Sequence, residues 1–368
     1  MSTRIPISAV TLGEQEEQLV LSVLRSGRLA QGPMVEALER RFAELCGVEH
    51  AVAVNSGTTA LVAALRSLGI GPGDEVLTSP FTFVATLNAI LEVGATATFA
   101  DIDPETFTLD PADVERRITS KTRVVLPVHL YGQPADMGGL QAVAKATGAV
   151  IVEDAAQAHA AAFGERPVGS FGIGCFSLYA TKNIAAGEGG IVTTNNAEIA
   201  DRLRLLRNHG MRRRYEYEIQ GNNYRLTEMQ AALTLPQLDR LADSTARRRL
   251  NAARLSEGLD GLGGLVTPGV AAGREHVFHQ YTIRVTAEAR HNRDVLAAKL
   301  SAMGIDTGVY YPRRVHDYDC YRNQPSVVDA PTPVADRAAA EVLSLPVHAG
   351  LTDTDVDRIV KAVRTCLQ

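Results

Sequence analysis

The chain has 368 residues, 45% of them hydrophobic and 21% charged, with a net charge of −5. That length suits one large domain plus a smaller one, and the acidic balance argues against nucleic acid or an anionic membrane as the main partner. No opening basic-then-apolar segment reads as a signal peptide, the uncharged run 76–91 is interrupted by Pro80 and Asn88, and the four scattered cysteines form no Cys-x-x-Cys pair, so a cytoplasmic protein with reduced thiols is expected.

In chain order, the Thr11 and Glu14 spacing predicts a capping box that starts a first helix, with Leu19, Val20, Val23 and Leu24 on one face and Gly27 ending it. A second amphipathic segment, 35–46, leads into an apolar run at 51–54 and a helix at 59–68. Apolar strands at 75–78, 97–100, 124–128 and 149–152 then alternate with helical patterns at 86–93, 112–118 and 140–147. Apolar strands without polar alternation, separated by helices, predict an α/β fold with a parallel sheet covered on both faces. Two long helices are predicted at 221–241 and 246–259. Alternation at Tyr281, Ile283 and Val285 predicts a sheet with one solvated face. Helices at 292–303 and after the Thr352–Asp355 capping box complete the chain. The expected organisation is a large domain over 1–245, including the first helix, and a smaller α+β domain over 246–368.

Three local patterns carry chemistry. The turn Asn55-Ser56-Gly57-Thr58-Thr59 between strand and helix leaves amide groups at a helix N-terminus, where a phosphate is favoured; simple N-capping is the competing reading. The run Val150-Ile151-Val152-Glu153-Asp154 ends a buried strand in carboxylates, which need a cationic or hydrogen-bonded partner: a protonated pyridine nitrogen is one, and a structural ion pair is the ordinary alternative. Lys182 is expected at the end of an otherwise apolar strand that begins near Cys175, and it precedes Gly187-Glu188-Gly189-Gly190. A desolvated amine there becomes a nucleophile for carbonyls, whereas a surface lysine is the ordinary alternative. No Gly-x-Gly-x-x-Gly after a strand, P-loop, Gly-x-Ser-x-Gly elbow or His-x-x-x-His pair is present, which argues against dehydrogenase, nucleotide triphosphatase, hydrolase and zinc chemistry.

Together with Gly-Asp-Glu-Val (73–76), Phe-Thr-Phe-Val-Ala-Thr (81–86), Glu-Asp-Ala-Ala-Gln-Ala-His (153–159), Phe-Ser-Leu-Tyr-Ala-Thr-Lys-Asn (176–183) and Gly-Asn-Asn-Tyr-Arg (221–225), these patterns make the chain resemble the DegT/StrS sugar aminotransferases along nearly its whole length. The resemblance implies the pyridoxal-phosphate (PLP) type I fold, with a large mainly parallel-sheet domain and a smaller α+β C-terminal domain. It implies that Lys182 holds PLP as a Schiff base and shuttles a proton, and that Asp154 pairs with the pyridine nitrogen. Phe83 is expected to stack on the ring and Gln157 to bond its phenolic oxygen. Gly57, Thr58 and Ser177 are expected to hold the phosphate, with Asn223 reaching it from a second subunit of a homodimer. The implied reaction moves an amino group from L-glutamate to a keto sugar, carried on a nucleoside diphosphate.

The chain departs from that pattern at Tyr310 of Tyr310-Tyr311-Pro312, where relatives often have histidine, at Asn222, where they often have an aromatic, and at Ala160. The Arg212-Arg213-Arg214 run and Arg225 are candidates for a substrate diphosphate or for a solvated face; His209, His279 and His316 receive no role. A keto-cyclitol aminotransferase and a non-catalytic regulator of the same fold are the alternatives, and Lys182 argues against a dehydratase of the family, in which histidine replaces the lysine.

Overall fold

The computed structural model describes residues 4–368. Its centre is an eight-stranded sheet in the order His50–Val54, Gly190–Thr194, Ile173–Ser177, Val150–Asp154, Thr122–Leu126, Glu75–Thr78, Thr96–Phe99 and Val327–Val328. Apart from the edge strand Val327–Val328, the strands are largely buried because helices cover both faces, as their unbroken apolar patterns require. The sheet is not wholly parallel, however. Gly190–Thr194 runs antiparallel to both of its neighbours. The physical reason is the connection: residues 178–189 form a loop without a helix, and a parallel return needs a long crossover.

Several predicted elements shift. The first helix spans Glu14–Ser26 and is capped at Gly13, not Thr11, because the Glu16 carboxylate accepts the Gly13 N–H at 2.8 Å while holding Arg240 at 2.5 Å. The strand expected at 149–152 runs on to Asp154. The helix expected over 221–241 begins only at Glu228, behind a Thr227–Gln230 capping box. Residues 222–224 are extended instead: Asn222 N–H donates to Leu206 O, Tyr224 N–H to Arg207 O and Asn55 N–H to Tyr224 O. Gly221-Asn222-Asn223 is a poor helix former, and these tertiary partners take up its backbone. The helix expected at 246–259 begins earlier, at Leu241, and runs to Leu259, while Arg293–Ala302 and the Thr352-capped helix Asp353–Leu367 appear as expected.

In the C-terminal part, Tyr281–Val285 lies antiparallel between Leu265–Val266 and Val342–Leu345. Its core gathers Leu255, Ile283, Leu296, Ile359 and Val363, and the N-terminal Ile5 joins it, bridging to Ile305. Val327–Val328 crosses the other way and adds an edge strand to the large sheet beside Thr96–Phe99. Among the described residues no helix is long and apolar enough to cross a membrane, and no cluster of residues could hold a metal ion.

Carboxylates tie these pieces together by capping helices from a distance. Glu228 is buried and accepts the amides of Gly32, Met34 and Val35 at 2.9, 3.0 and 2.9 Å, so it caps the helix Pro33–Cys46. Asp101 does the same for Pro333–Glu341 through Val334 and Ala335. Such charge-assisted bonds to a helix N-terminus are strong where water is excluded. Glu228→Ala should therefore lower stability by about 2–3 kcal/mol, with Glu228→Gln intermediate; an unchanged thermal midpoint for Glu228→Ala would show that the cap carries no such weight.

Candidate active site

Successive residues of a strand point to opposite faces, so the adjacent carboxylates Glu153 and Asp154 part company. Glu153 faces the loop after the strand and is fully engaged: it accepts the amides of Gly169, Phe171 and Gly172 at 2.8, 2.8 and 3.1 Å, and meets His129 Nε2 at 3.1 Å. His129 Nδ1 accepts the Ala135 amide at 2.9 Å, which assigns the proton to Nε2 and makes it the donor to Glu153. Glu153 is structural. Asp154 faces the other way, 5% exposed, and takes the Thr86 hydroxyl on Oδ2 at 2.8 Å and the Ala156 amide on Oδ1 at 3.2 Å. Burial pushes its pKa up; Thr86, the Ala156 amide, Lys182 and His129 act against that and favour the carboxylate.

Lys182 does not end its strand as expected. The strand stops at Ser177, and Lys182 sits five residues on, at the tip of the loop. That loop is pinned by backbone bonds from Leu178 to Gly189, Ala180 to Gly187, Ala186 to Leu178 and Lys182 to Tyr179. The loop lays the side chain over the carboxyl edge of the sheet, where Asp154 lies. Burial lowers the amine pKa to about 8, opposed by the charge of Asp154. Among the described residues the ammonium forms no ion pair within 4 Å. A partly neutral, desolvated amine beside one carboxylate is equipped to attack a carbonyl.

Beside them the helix Gly57–Ser67 begins. Ser56 caps it by accepting the Thr59 amide at 3.1 Å, so the capping reading of this turn is correct as far as it goes. The amides of Gly57 and Thr58 precede the first intrahelical donor and remain free of helix partners. A side chain at Gly57 would put its Cβ 2.6 Å from Ser177 Cβ, and one at Gly190 would meet Ser56 O at 2.2 Å. Only glycine lets the helix N-terminus and the Ser177 strand approach this closely. The result is a cradle of two amides and a hydroxyl, with the positive end of the helix behind it.

Phe83 occupies the N-cap of the helix Val84–Glu92, where a short polar residue is normally preferred, and it is 55% exposed. Its ring lies 6.0 Å from that of Tyr311. A local rule broken by an exposed aromatic is the kind of violation found at functional sites. Gln157 Oε1 accepts the Tyr131 amide at 2.7 Å, which leaves Nε2 as donor, 3.3 Å from the Tyr311 hydroxyl. The Tyr131 hydroxyl donates to the Tyr310 carbonyl, closing an aromatic wall of Phe83, Tyr131, Tyr310 and Tyr311. Asn223 is exposed and lies beside the start of the 55–59 turn: its carbonyl is 3.5 Å from Asn55 Nδ2, and its side-chain oxygen turns to the Arg225 amide.

The structure thus brings together Lys182, Asp154, Gly57, Thr58 and Ser177, with Phe83 and Gln157 at the rim. Sequence reasoning gave no role to Thr86, although it closes the quoted 81–86 motif, nor to His279, whose Nδ1 lies 3.2 Å from Asn183 Oδ1, next to Lys182. Arg212 is committed elsewhere. Its fork holds Glu218 at 2.9 Å and also pairs with Asp201, so it staples a surface hairpin. Arg214 lies over Tyr215 and Arg225 bonds Asn208, while Arg213 is exposed.

A model of the DegT/DnrJ/EryC1/StrS aminotransferase family matches residues 10–364. The chain is 43% identical to the UDP-N-acetyl-3-dehydro-alpha-D-glucosamine 3-aminotransferase of Acidithiobacillus ferrooxidans, over 94% of this chain and 92% of that one. It is 42% identical to the dTDP-3-amino-3,4,6-trideoxy-alpha-D-glucose transaminase of Streptomyces venezuelae, over 96% and 92%. The crystal structure of S. venezuelae DesV in complex with a ketimine intermediate superimposes with a TM-score of 0.93 at 41% identity, covering 100% of this chain and 99% of that one. The fold is that of the type I aminotransferases. With sequence and fold in agreement from end to end, the chain belongs to the DegT/DnrJ/EryC1/StrS aminotransferase family.

Proposed function

We propose that the chain is a PLP-dependent aminotransferase that moves an amino group from L-glutamate to a keto sugar carried on a nucleoside diphosphate, working as a cytoplasmic homodimer. The observation that carries the reading is the half-buried, desolvated Lys182 amine, lowered to about 8, beside Asp154 and the Gly57–Ser177 cradle. These residues fit the cofactor: the cradle offers two amides and a hydroxyl to a phosphate, and Asp154 is a buried carboxylate in need of a cation. When bound, the cofactor supplies the electron sink.

The protein supplies position and protons. Lys182 Nζ anchors the cofactor and then carries a proton to and from the substrate carbon. Asp154 holds the proton on the pyridine nitrogen. Gly57, Thr58 and Ser177 hold the phosphate, and Phe83 covers the ring face and keeps water from it. Gln157 Nε2 donates toward the phenolic oxygen, because Tyr131 fixes which end of its amide faces inward. Asn223, exposed in its own chain, serves the neighbouring subunit's phosphate. The aromatic wall at Tyr310 and Tyr311 faces the acceptor. Because Arg212 is already paired, Arg213 and Arg214 are the better candidates for a diphosphate.

Purified protein should be yellow, borohydride should fix PLP on the peptide containing Lys182, and Lys182→Ala should abolish glutamate-dependent turnover of a panel of keto-sugar nucleotides. Label on another lysine overturns the site, and equal turnover of the free ketone overturns the nucleotide assignment. Capture of PLP by the empty protein needs the neutral amine, so its rate should rise with pH through a midpoint near 8. Since Asp154 supports the ammonium, Asp154→Asn should move that midpoint down, while turnover falls by several kcal/mol of transition-state stabilisation. A mixture of Lys182→Ala and Asn223→Ala chains should regain activity if subunits exchange, because each heterodimer holds one intact composite site. No gain, with Asn223→Ala alone impaired, means that the site is not shared.

A further inference from the structure

We propose that Thr86, backed by Thr82, is a positioning residue that aims and charges the Asp154 carboxylate toward the cofactor ring. The inference rests on the reading above that Asp154 meets the pyridine nitrogen. Thr86 Oγ1 lies 2.8 Å from Asp154 Oδ2, and Thr82 Oγ1 lies 2.9 Å from Thr86 Oγ1. Both threonines are buried, Thr86 at 0% and Thr82 at 3% exposure.

The direction of this chain follows from its end. An ionised carboxylate only accepts, so the single Thr86 hydroxyl proton goes to Asp154, and Thr86 must then accept from Thr82. Each bond polarises the next where water is absent, and the two donors point the same way. A threonine in a helix normally turns its hydroxyl back to a carbonyl of the preceding turn. Thr86 instead spends it on a residue 68 positions away. The Ala156 amide holds the other oxygen, so the carboxylate cannot rotate and its remaining lone pairs face one direction.

The geometry links two parts of the site. Thr82 and Thr86 flank Phe83 at the start of the helix Val84–Glu92, so the same turn that presents the stacking ring also clamps the carboxylate. The positive end of that helix lies at the clamp, which further favours the charged form of Asp154. Among the influences that keep Asp154 ionised against its burial, the Thr86 hydroxyl is the largest.

The test uses the PLP-loaded protein and three variants, Thr86→Val, Thr86→Ser and Thr82→Val, with Asp154→Asn as reference. Two quantities are read beside turnover: the pH midpoint of the visible band of the lysine-bound cofactor, and the PLP dissociation constant. Weakening the hold on the pyridine proton makes the ring less electron-withdrawing, so the lysine nitrogen keeps its proton to higher pH. Thr86→Val should raise the midpoint in the same direction as Asp154→Asn but by less, and weaken PLP binding about tenfold, the size of one charge-assisted bond. Thr82→Val should weaken it about threefold, and Thr86→Ser should stay close to wild type. The thermal midpoint of the loaded proteins checks that Thr86→Val remains folded; if it does not, the Thr86→Ser and Thr82→Val titrations decide. A wild-type midpoint in folded Thr86→Val, or a Thr86→Ser that behaves like Thr86→Val, overturns the relay and assigns Thr86 to packing. A wild type without the band, or an Asp154→Asn midpoint that does not move, overturns the cofactor reading and the relay with it.

Discussion

The site depends on a carboxylate and an amine that share a desolvated edge of the sheet. Asp154 is driven toward protonation by burial and Lys182 toward neutrality; the charge of Asp154 supports the ammonium, while Asp154 draws first on Thr86 and Ala156 and then on Lys182. Burying either alone would be costly, and burying both without further partners would still be unfavourable. The protein meets that cost with fixed dipoles: the Thr86 hydroxyl, the Ala156 amide and the N-terminus of the helix Val84–Glu92. Dipoles set in place by folding need no rearrangement when charge moves during a reaction.

The same device recurs through the molecule with a different outcome. Glu153, Glu228 and Asp101 are buried carboxylates too, yet each is surrounded by backbone amides of a loop or helix start. Their lone pairs are committed, so they brace the fold and have nothing left for a ligand. Asp154 differs in having only two protein donors, against three at Asp101 once the Ile102 amide is included, and a half-buried amine as its neighbour. Counting donors therefore separates the structural acids from the one proposed to meet the cofactor more clearly than burial does.

Adjacent residues 153 and 154 show how far sequence could go. Both carboxylates were legible at the end of an apolar strand, but their division of labour required the pleat and the loop 169–172, which supplies three amides to Glu153 alone. The Ser56–Thr59 turn was legible as a helix start because small polar residues there have few other uses. That Gly57 is needed for contact with Ser177 was not, since the two lie on separate elements. Lys182 was placed by the sequence at the end of an apolar strand, but a pinned loop beyond that strand carries it.

What the sequence by itself determined is whatever depends on local pattern: the alternation of apolar strands and helices, the Thr352–Asp355 capping box, the turn before Thr58, and the motifs that mark the family. Tertiary structure decided whatever depends on partners distant in the chain. It reversed the strand Gly190–Thr194, held 222–224 extended against the 206–208 backbone, and sent Arg212 to Asp201 and Glu218. It also brought Thr86 to Asp154. The physical reason is common to all of these: hydrogen-bonding groups and charges take the partners that folding brings within reach, and periodicity in a sequence records which face is buried, not what will lie against it.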